Sequence, residues 1–262
     1  MMSAYEQRPD DYFRRYERLE TGEIHSDWLS LLPSTQLLVL DVGAGSGRDA
    51  AWFADQDHEV VAAEPADALR QRAREAHPSP RIQWIDDHLP ALGTVHDLDY
   101  QFDVILLNAV WMHVPPSKRE RAFRKLTELL KPGGHLVITL RSEPPDDDRT
   151  AYETSTAELR DLSHSFALEY LDDAQSDDRL DRDLRWTSVV FRLPDDGTGA
   201  LPLIRHILIN DDTSATYKPA LLRSILRVAD NAKGAVLDET RDHVEIPLGL
   251  VALYWLRMYR WL

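Results

Sequence analysis

No cysteine occurs among the 262 residues. That absence excludes disulfides, thiolate zinc sites and cysteine-held iron–sulfur clusters. The ten histidines include no H-x-x-x-H pair, so no metal site is expected. Long apolar runs are missing as well. The longest, Leu248 to Leu256 before Arg257, is too short to span a bilayer, and Met1 to Asp10 lacks the apolar core of a signal peptide. The expectation is a soluble, cytoplasmic chain with no membrane contact. Positive charge is scarce too: 30 Lys and Arg face 45 Asp and Glu, a net charge of −15. Residues 201–262 hold 8 basic and 7 acidic side chains, so the imbalance lies in the first 200 residues. Part of it is the run Asp172, Asp173, Asp177, Asp178, Asp181 and Asp183, which reads as a solvated loop. Such an acidic surface repels phosphate backbones and disfavours autonomous nucleic-acid binding.

What the chain does have is concentrated between Leu37 and Asp49. The apolar run Leu37–Leu40 reads as a buried strand, ends at Asp41, and is followed by Gly43, Gly45 and Gly47. Glycines at alternate positions after a strand let the backbone turn sharply and approach a ligand, because no Cβ intervenes. The helix expected from Arg48, with Ala50, Ala51, Trp52, Phe53 and Ala54, would aim its N-terminus at that ligand. The third glycine falls one place too early for the dinucleotide fingerprint, and no Gly-Lys-Ser/Thr of a P-loop follows.

About 20 residues on, a second strand, His58 to Ala63, ends in Glu64, where nucleotide folds place a carboxylate on a ribose diol. A third, Arg81 to Ile85, runs into Asp86-Asp87-His88-Leu89-Pro90, and a fourth, Phe102 to Leu107, into Asn108-Ala109-Val110-Trp111-Met112-His113. A helix carrying Ala122, Phe123, Leu126, Leu129 and Leu130 is expected to end at Lys131-Pro132-Gly133-Gly134, ahead of a fifth strand, His135 to Leu140. Strands alternating with helices predict an α/β fold: a Rossmann-like, mostly parallel sheet with helices on both faces and the ligand at the carboxyl ends of its strands.

The Asp41-x-Gly43-x-Gly45-x-Gly47 turn, the acid at Glu64 and the Leu-Lys-Pro-Gly-Gly-x-Leu-x-Ile pattern at Leu130–Ile138 resemble the class I S-adenosylmethionine (SAM) dependent methyltransferases over residues 1–193. The resemblance implies SAM as cofactor, held by Asp41, Gly43, Gly45, Gly47, Glu64 and Asn108. Glu64 would take the ribose, and Asp86, ahead of its neighbour Asp87, the adenine amino group. It implies methyl transfer by in-line displacement. His113 and His88 are the candidate proton acceptors, needed only for a protonated, poorly acidic acceptor. Without cysteine, radical SAM chemistry and 5-methylcytosine-type chemistry are excluded. The Asn108-Ala109-Val110-Trp111 turn departs from the Asn/Asp-Pro-Pro-aromatic motif of DNA and protein amino-group methylases. The expected acceptor is small and non-phosphate, neutral or cationic. Other readings stay open residue by residue: Glu64 as a helix cap before Pro65, Asp86 and Asp87 as solvated loop acids, His113 as a structural histidine, Trp111 and Met112 as core.

At the N-terminus, Tyr5, Tyr12, Phe13 and Tyr16 alternate with Arg8, Arg14 and Arg15. Helical spacing puts Tyr12 and Tyr16 on one face, which is either a substrate lid, with Trp111 beneath, or an ordinary amphipathic packing face. Thr156 to Leu171 reads as a helix and Arg185 to Leu193 as a strand of a terminal antiparallel hairpin. The boundary falls after Pro194, giving a methyltransferase domain at 1–194 and a helical segment at 201–262, possibly a truncated module or one that dimerises or docks a partner protein. In that segment Leu201 to Leu208 is apolar and a helix is expected with Pro219 in its first turn. A last helix from Leu248 to Leu262 is apolar on all sides, so burial on both sides is expected. Thr216–Arg223 and Trp255–Tyr259 are weakly similar to the opening helical region of HNH-type endonuclease proteins, without that family's ligand cluster. The alternative function is a non-catalytic SAM-fold module positioning these helices within a larger nucleic-acid-processing assembly.

Overall fold

In a computed structural model, residues 4–143, 149–180, 184–195, 217–231, 238–239 and 244–259 are described. The chain divides into two compact units, Met1–Pro202 and Leu203–Leu262. The first opens with four short helices, α1 (Ala4–Gln7), α2 (Pro9–Tyr16), α3 (Thr21–Ile24) and α4 (Ser26–Leu29). There follow β1 (Leu38–Val42), α5 (Arg48–Asp55), β2 (Glu59–Ala63), α6 (Asp67–Ala76), β3 (Ile82–Ile85), α7 (Gly93–His96), β4 (Phe102–Leu107), α8 (Pro116–Glu128) and β5 (Leu130–Arg141). After them come α9 (Thr156–Ser165), β6 (Glu169–Asp177) and β7 (Arg185–Arg192).

The strands form one seven-stranded sheet in the order β3-β2-β1-β4-β5-β7-β6. β1 to β5 run parallel, and β7 and β6 close the far side as an antiparallel pair. Central strands buried on both faces need continuous apolar sequence, and Val39, Leu40, Val104, Ile105, Leu106, Leu136, Val137 and Ile138 supply it, each fully buried. The chain order reverses between β1 and β4, so the carboxyl ends of these two strands frame a crevice.

Four expectations are corrected. The Lys131–Gly134 stretch does not terminate a helix. α8 stops at Glu128, and the stretch is the start of β5, where the register against β4 shifts between Phe102 and Val104. The predicted helix from Thr156 to Leu171 ends at Ser165. Ser155 caps its start by accepting the Glu158 N–H at 3.1 Å. Its end is set by Ala167 in a left-handed conformation (φ 49°), which turns the chain back and starts β6 at Glu169. The acidic run is in part a strand rather than a loop: Asp172, Asp173 and Asp177 lie in β6, the edge strand of the sheet among the described residues, with their side chains exposed, and Asp178 follows its end. Asp181 and Asp183 lie outside the described residues.

The fourth correction concerns the second unit. It carries α10 (Tyr217–Asn231), a two-residue ladder of β8 (Asp238–Glu239) with β9 (Val244–Glu245), and α11 (Leu248–Tyr259). Pro219 does fall in the first turn of α10. α11 is not covered on both sides: Val251 is buried, whereas Leu248 is 82% and Leu256 70% exposed. Within the described unit α11 packs on α10, and one neighbouring helix covers only one side. The predicted elements at 201–208 and 260–262 lie outside the described residues. No described helix is long and apolar enough to cross a membrane.

Candidate functional site: a glycine-floored cavity at the crevice

The turn after β1 takes all three glycines through the left-handed region, with φ of 71° at Gly43, 59° at Gly45 and 81° at Gly47. A Cβ at Gly43 would lie 2.6 Å from Val110 Cγ2, and one at Gly47 2.5 Å from the Trp84 ring, so side chains are barred here by both conformation and space. The Gly43 and Ala44 N–H groups donate to the Ala63 carbonyl at 2.7 and 3.1 Å. The Gly45 N–H donates to Glu64 Oε2 at 2.8 Å, and the Ala66 N–H to Oε1, also at 2.8 Å. Glu64 is buried, and burial pushes its carboxyl up while these two N–H groups pull it back. It is not the cap of α6, whose first turn receives no side-chain bond from the preceding residue.

Above this turn lies a cavity of about 560 Å3, a size ordinary for a small-molecule site. Of the predicted site residues, Asp41, Gly43, Gly45, Glu64, Asp87, His88, Asn108, His113 and Tyr16 line it. The others do not. Gly47 lies behind the turn against Trp84 and starts α5. Asp86 points outward, 70% exposed, 3.7 Å from Arg70. Strand alternation explains this: Ile85 is buried, so Asp86 turns out and Asp87 turns in, where Asp87 accepts the His88 and Val95 N–H groups at 2.7 and 2.9 Å. Trp111 is fully buried against Phe123, and it is core rather than substrate wall. Tyr12 packs between Tyr5 and Tyr16, behind the cavity surface.

A buried polar network that the sequence reading did not foresee lies beneath. Asp49, in the first turn of α5, accepts from Thr21 Oγ1 at 2.8 Å, Asn108 Nδ2 at 2.8 Å and the Arg48 guanidinium at 2.8 Å, and His25 Nε2 lies 3.3 Å away. Burial pushes its carboxyl up, but Arg48 and His25 overcome that and hold it well below the usual carboxylate range. Asp41 has the opposite fate. Burial first, and then the Asp49 charge, push its carboxyl well above that range, and its Oδ2 has no hydrogen-bond partner. Asn108 is held from the other side by Thr139 Oγ1 at 3.0 Å. The hint in the sequence was that Asp49 lies two residues after the last glycine of the turn.

The cavity wall above β4, β5 and β7 is built from distant segments. His113 Nε2 meets the Tyr5 hydroxyl at 3.3 Å, and its Nδ1 meets the Thr150 carbonyl at 2.6 Å. Arg149 donates to the Tyr5 and Tyr16 hydroxyls at 3.3 and 3.5 Å, and its guanidinium lies 5.6 Å from the Tyr12 ring centre. Burial, then Tyr5, push the Tyr16 hydroxyl above its usual range. Arg141, Trp186 and Ser188 complete this wall. Arg141 and Arg149 carried no motif by which sequence could find them, and Tyr5 had only its place among the N-terminal aromatics.

Residues 39–134 match the family model described as a methyltransferase domain, and residues 197–262 match a domain of unknown function, DUF8808. The weak likeness of the C-terminal segment to HNH-type endonucleases finds no counterpart in that match. The chain is similar to an uncharacterized methyltransferase of Mycobacterium tuberculosis, 28% identical over 136 residues, covering 51% of this chain and 49% of that protein. It is also similar to the tRNA 5-carboxymethoxyuridine methyltransferase of Escherichia coli K12, 33% identical over 109 residues, 39% of this chain and 40% of that one. The chain thus spans about half the length, or less, of these relatives. Among solved structures, the fold is like that of 1,6-didemethyltoxoflavin-N1-methyltransferase from Burkholderia thailandensis, with bound S-adenosylhomocysteine (TM-score 0.51, 22% identity, 71% and 87% coverage). It is likewise similar to a chain in the complex of the Haloferax volcanii Trm112 methyltransferase activator with a methyltransferase (TM-score 0.58, 14% identity, 74% and 100% coverage). Residues 39–134, which carry the glycine turn and Glu64, match a methyltransferase domain, and these comparisons together support a class I SAM-dependent methyltransferase.

Proposed function

We propose that this chain transfers the methyl group of SAM to a small, non-phosphate acceptor by in-line displacement. The observation that carries the reading is Glu64, buried at the carboxyl end of β2 and fixed by the N–H groups of Gly45 and Ala66. A carboxylate has about four acceptor positions, so two remain for a ribose diol. The residues suit SAM in other respects: the cavity is large enough, its floor has no Cβ to obstruct a ligand, and Asp41 brings an unpartnered oxygen beside it. Asp41, Gly43, Gly45, Glu64, Asp87 and Asn108 would hold the cofactor, with Gly47 shaping the turn. When bound, SAM supplies an electrophilic methyl carbon on a sulfonium. The protein's contribution is alignment, worth roughly 7–11 kcal/mol in well-oriented systems. His113, on the same wall as Tyr16, is the better placed proton acceptor for a protonated nucleophile, because His88 is exposed.

The acceptor reading rests on the acidic surface, which opposes a phosphate backbone. We assign methyl transfer to residues 1–194 and an interaction role, with a second copy or a partner protein, to residues 201–262. A cytoplasmic location fits this activity. Isothermal titration of SAM and S-adenosylhomocysteine tests the reading, with Glu64→Ala as control. Wild type is expected to bind in the micromolar range, and the variant to lose about 10- to 100-fold, the value of a charge-assisted hydrogen bond. A folded wild type that binds neither compound overturns the proposal.

A further inference from the structure

The half of the cavity over β1, β2 and β3 gathers the buried carboxyls of Asp41, Asp49, Glu64 and Asp87. All but Asp41 are provided for. Arg48 Nε and Nη2 donate to Asp49 at 3.0 and 2.8 Å and its Nη1 to the Tyr16 carbonyl at 3.2 Å, so every nitrogen of this guanidinium is turned to another acceptor. Glu64 accepts the Gly45 and Ala66 N–H groups, and Asp87 those of His88 and Val95. Asp41 is 2% exposed and accepts the Ala50 N–H, but its Oδ2 has no partner. Its neighbours across the sheet, Ala62 on β2 and Leu106 on β4, are apolar. The charges that face it are Asp49 and Arg48 from α5 and Glu64 from the end of β2, with His25 beyond them against Asp49.

Neither form of the Asp41 carboxyl is completed by these neighbours. Ionised, it faces two like charges, and the one cation nearby is committed to Asp49. Protonated, it keeps an oxygen with no hydrogen-bond partner. Burial and the Asp49 charge favour the protonated form. A cation entering the cavity reverses that preference, because it brings the missing countercharge into a site too dry to screen it.

We propose that Asp41 couples cofactor binding to proton release: its carboxyl holds a proton in the ligand-free protein and gives it up when the cationic methionyl half of SAM enters the cavity. The carboxyl O–H bond breaks, its electron pair stays on the carboxylate, and the proton passes to the solvent. This role rests on the reading of the cavity as the SAM site and adds to it a residue that senses charge, as Glu64 senses ribose. The sulfonium and ammonium groups of SAM supply the cation, so a ligand with the same adenosine and no positive charge leaves the proton in place.

The test is isothermal titration of the full chain between about pH 5.5 and 6.5, below the titration of the ligand's own amino group. Buffers of different ionisation enthalpy are used, so that the slope of observed heat against buffer enthalpy counts protons. The probes are SAM and methylthioadenosine, which keeps the adenosine and the sulfur but carries neither positive charge. Both share the ribose, so any proton lost from Glu64 cancels between them. SAM is expected to release about one proton more than methylthioadenosine, and its affinity to rise with pH by up to about tenfold per unit, the limit for one linked proton. Asp41→Asn, close to the native side chain in shape, should abolish the extra proton and flatten the rise, with melting curves to show that it is folded. Where that variant fails to fold or to bind, the wild-type comparison of the two probes decides. Equal proton counts for the two probes, a SAM affinity indifferent to pH, or an extra proton that survives in Asp41→Asn and so comes from His25 or elsewhere would overturn the proposal. A folded wild type that binds neither probe defeats the SAM reading itself, which separates the two failures.

Discussion

The two halves of the cavity are made in different ways. Over β1, β2 and β3, backbone and carboxylates from one continuous run, Asp41 to Asp87, build the wall, and the chain returns to it at each strand end. Over β4, β5 and β7, the wall is gathered from Tyr5, His113, Arg141, Arg149 and Trp186, held by contacts between side chains far apart in sequence. The first half tolerates few changes, because removing a glycine or an acid disturbs the turn itself. The second can exchange side chains without altering a strand. A fold that keeps one ligand constant and varies the other would divide its cavity this way.

The largest test strikes a residue that links the two halves. Asp49→Ala removes the acceptor shared by Thr21, Arg48, His25 and Asn108 and leaves a buried cation unpaired. It should cost about 3–5 kcal/mol in urea denaturation. A cost below about 1 kcal/mol, the range of exposed ion pairs, would show that the halves are independent. Next in size is Gly47→Ala, which acts on the first half alone. A left-handed alanine 2.5 Å from the Trp84 ring should lose about 2–4 kcal/mol, read from the same denaturation curves.

The smallest effect, with the opposite sign, belongs to Asp41→Asn. The folded carboxyl lies above its unfolded value, so the native state resists ionisation, and stability is lost as pH rises from about 4 through the folded value. The asparagine variant escapes that loss. Its melting temperature should match wild type near pH 4 and exceed it at pH 7, by about 2–4 °C for each kcal/mol recovered. Asp49 follows the reverse rule: its folded carboxyl is depressed, so its contribution is present above about pH 4 and fades as pH falls through the folded value. A variant at Asp41 that melts lower than wild type at pH 7 would mean that this carboxylate supports the turn.

What the sequence disclosed follows the same division. The order of five strands, the glycine turn and Glu64 were readable because each rests on local chemistry: an apolar run, a missing Cβ, an acid at a strand end. Asp86 and Asp87 could not be separated by composition, since the choice depends on which way the pleat turns after Ile85. Trp111 and Tyr12 each kept two readings for a related reason, because an aromatic side chain at either position serves equally well as core or as wall. The Arg149 contacts and most of the Asp49 network were illegible, as Thr21, His25 and Asn108 lie 24 to 59 residues from Asp49 and Tyr5 lies 144 from Arg149. The helix predicted as far as Leu171 failed where a single left-handed residue, Ala167, reversed the chain.

That reversal has a further consequence. It makes β6 the outermost strand of the sheet among the described residues, with one edge that no described strand covers and to which another sheet could add. Asp172, Asp173 and Asp177 line that strand with negative charge. Two such edges meeting would bring like charges together at strand spacing, so the same acids that break the pattern of a loop act as a guard against self-templating growth.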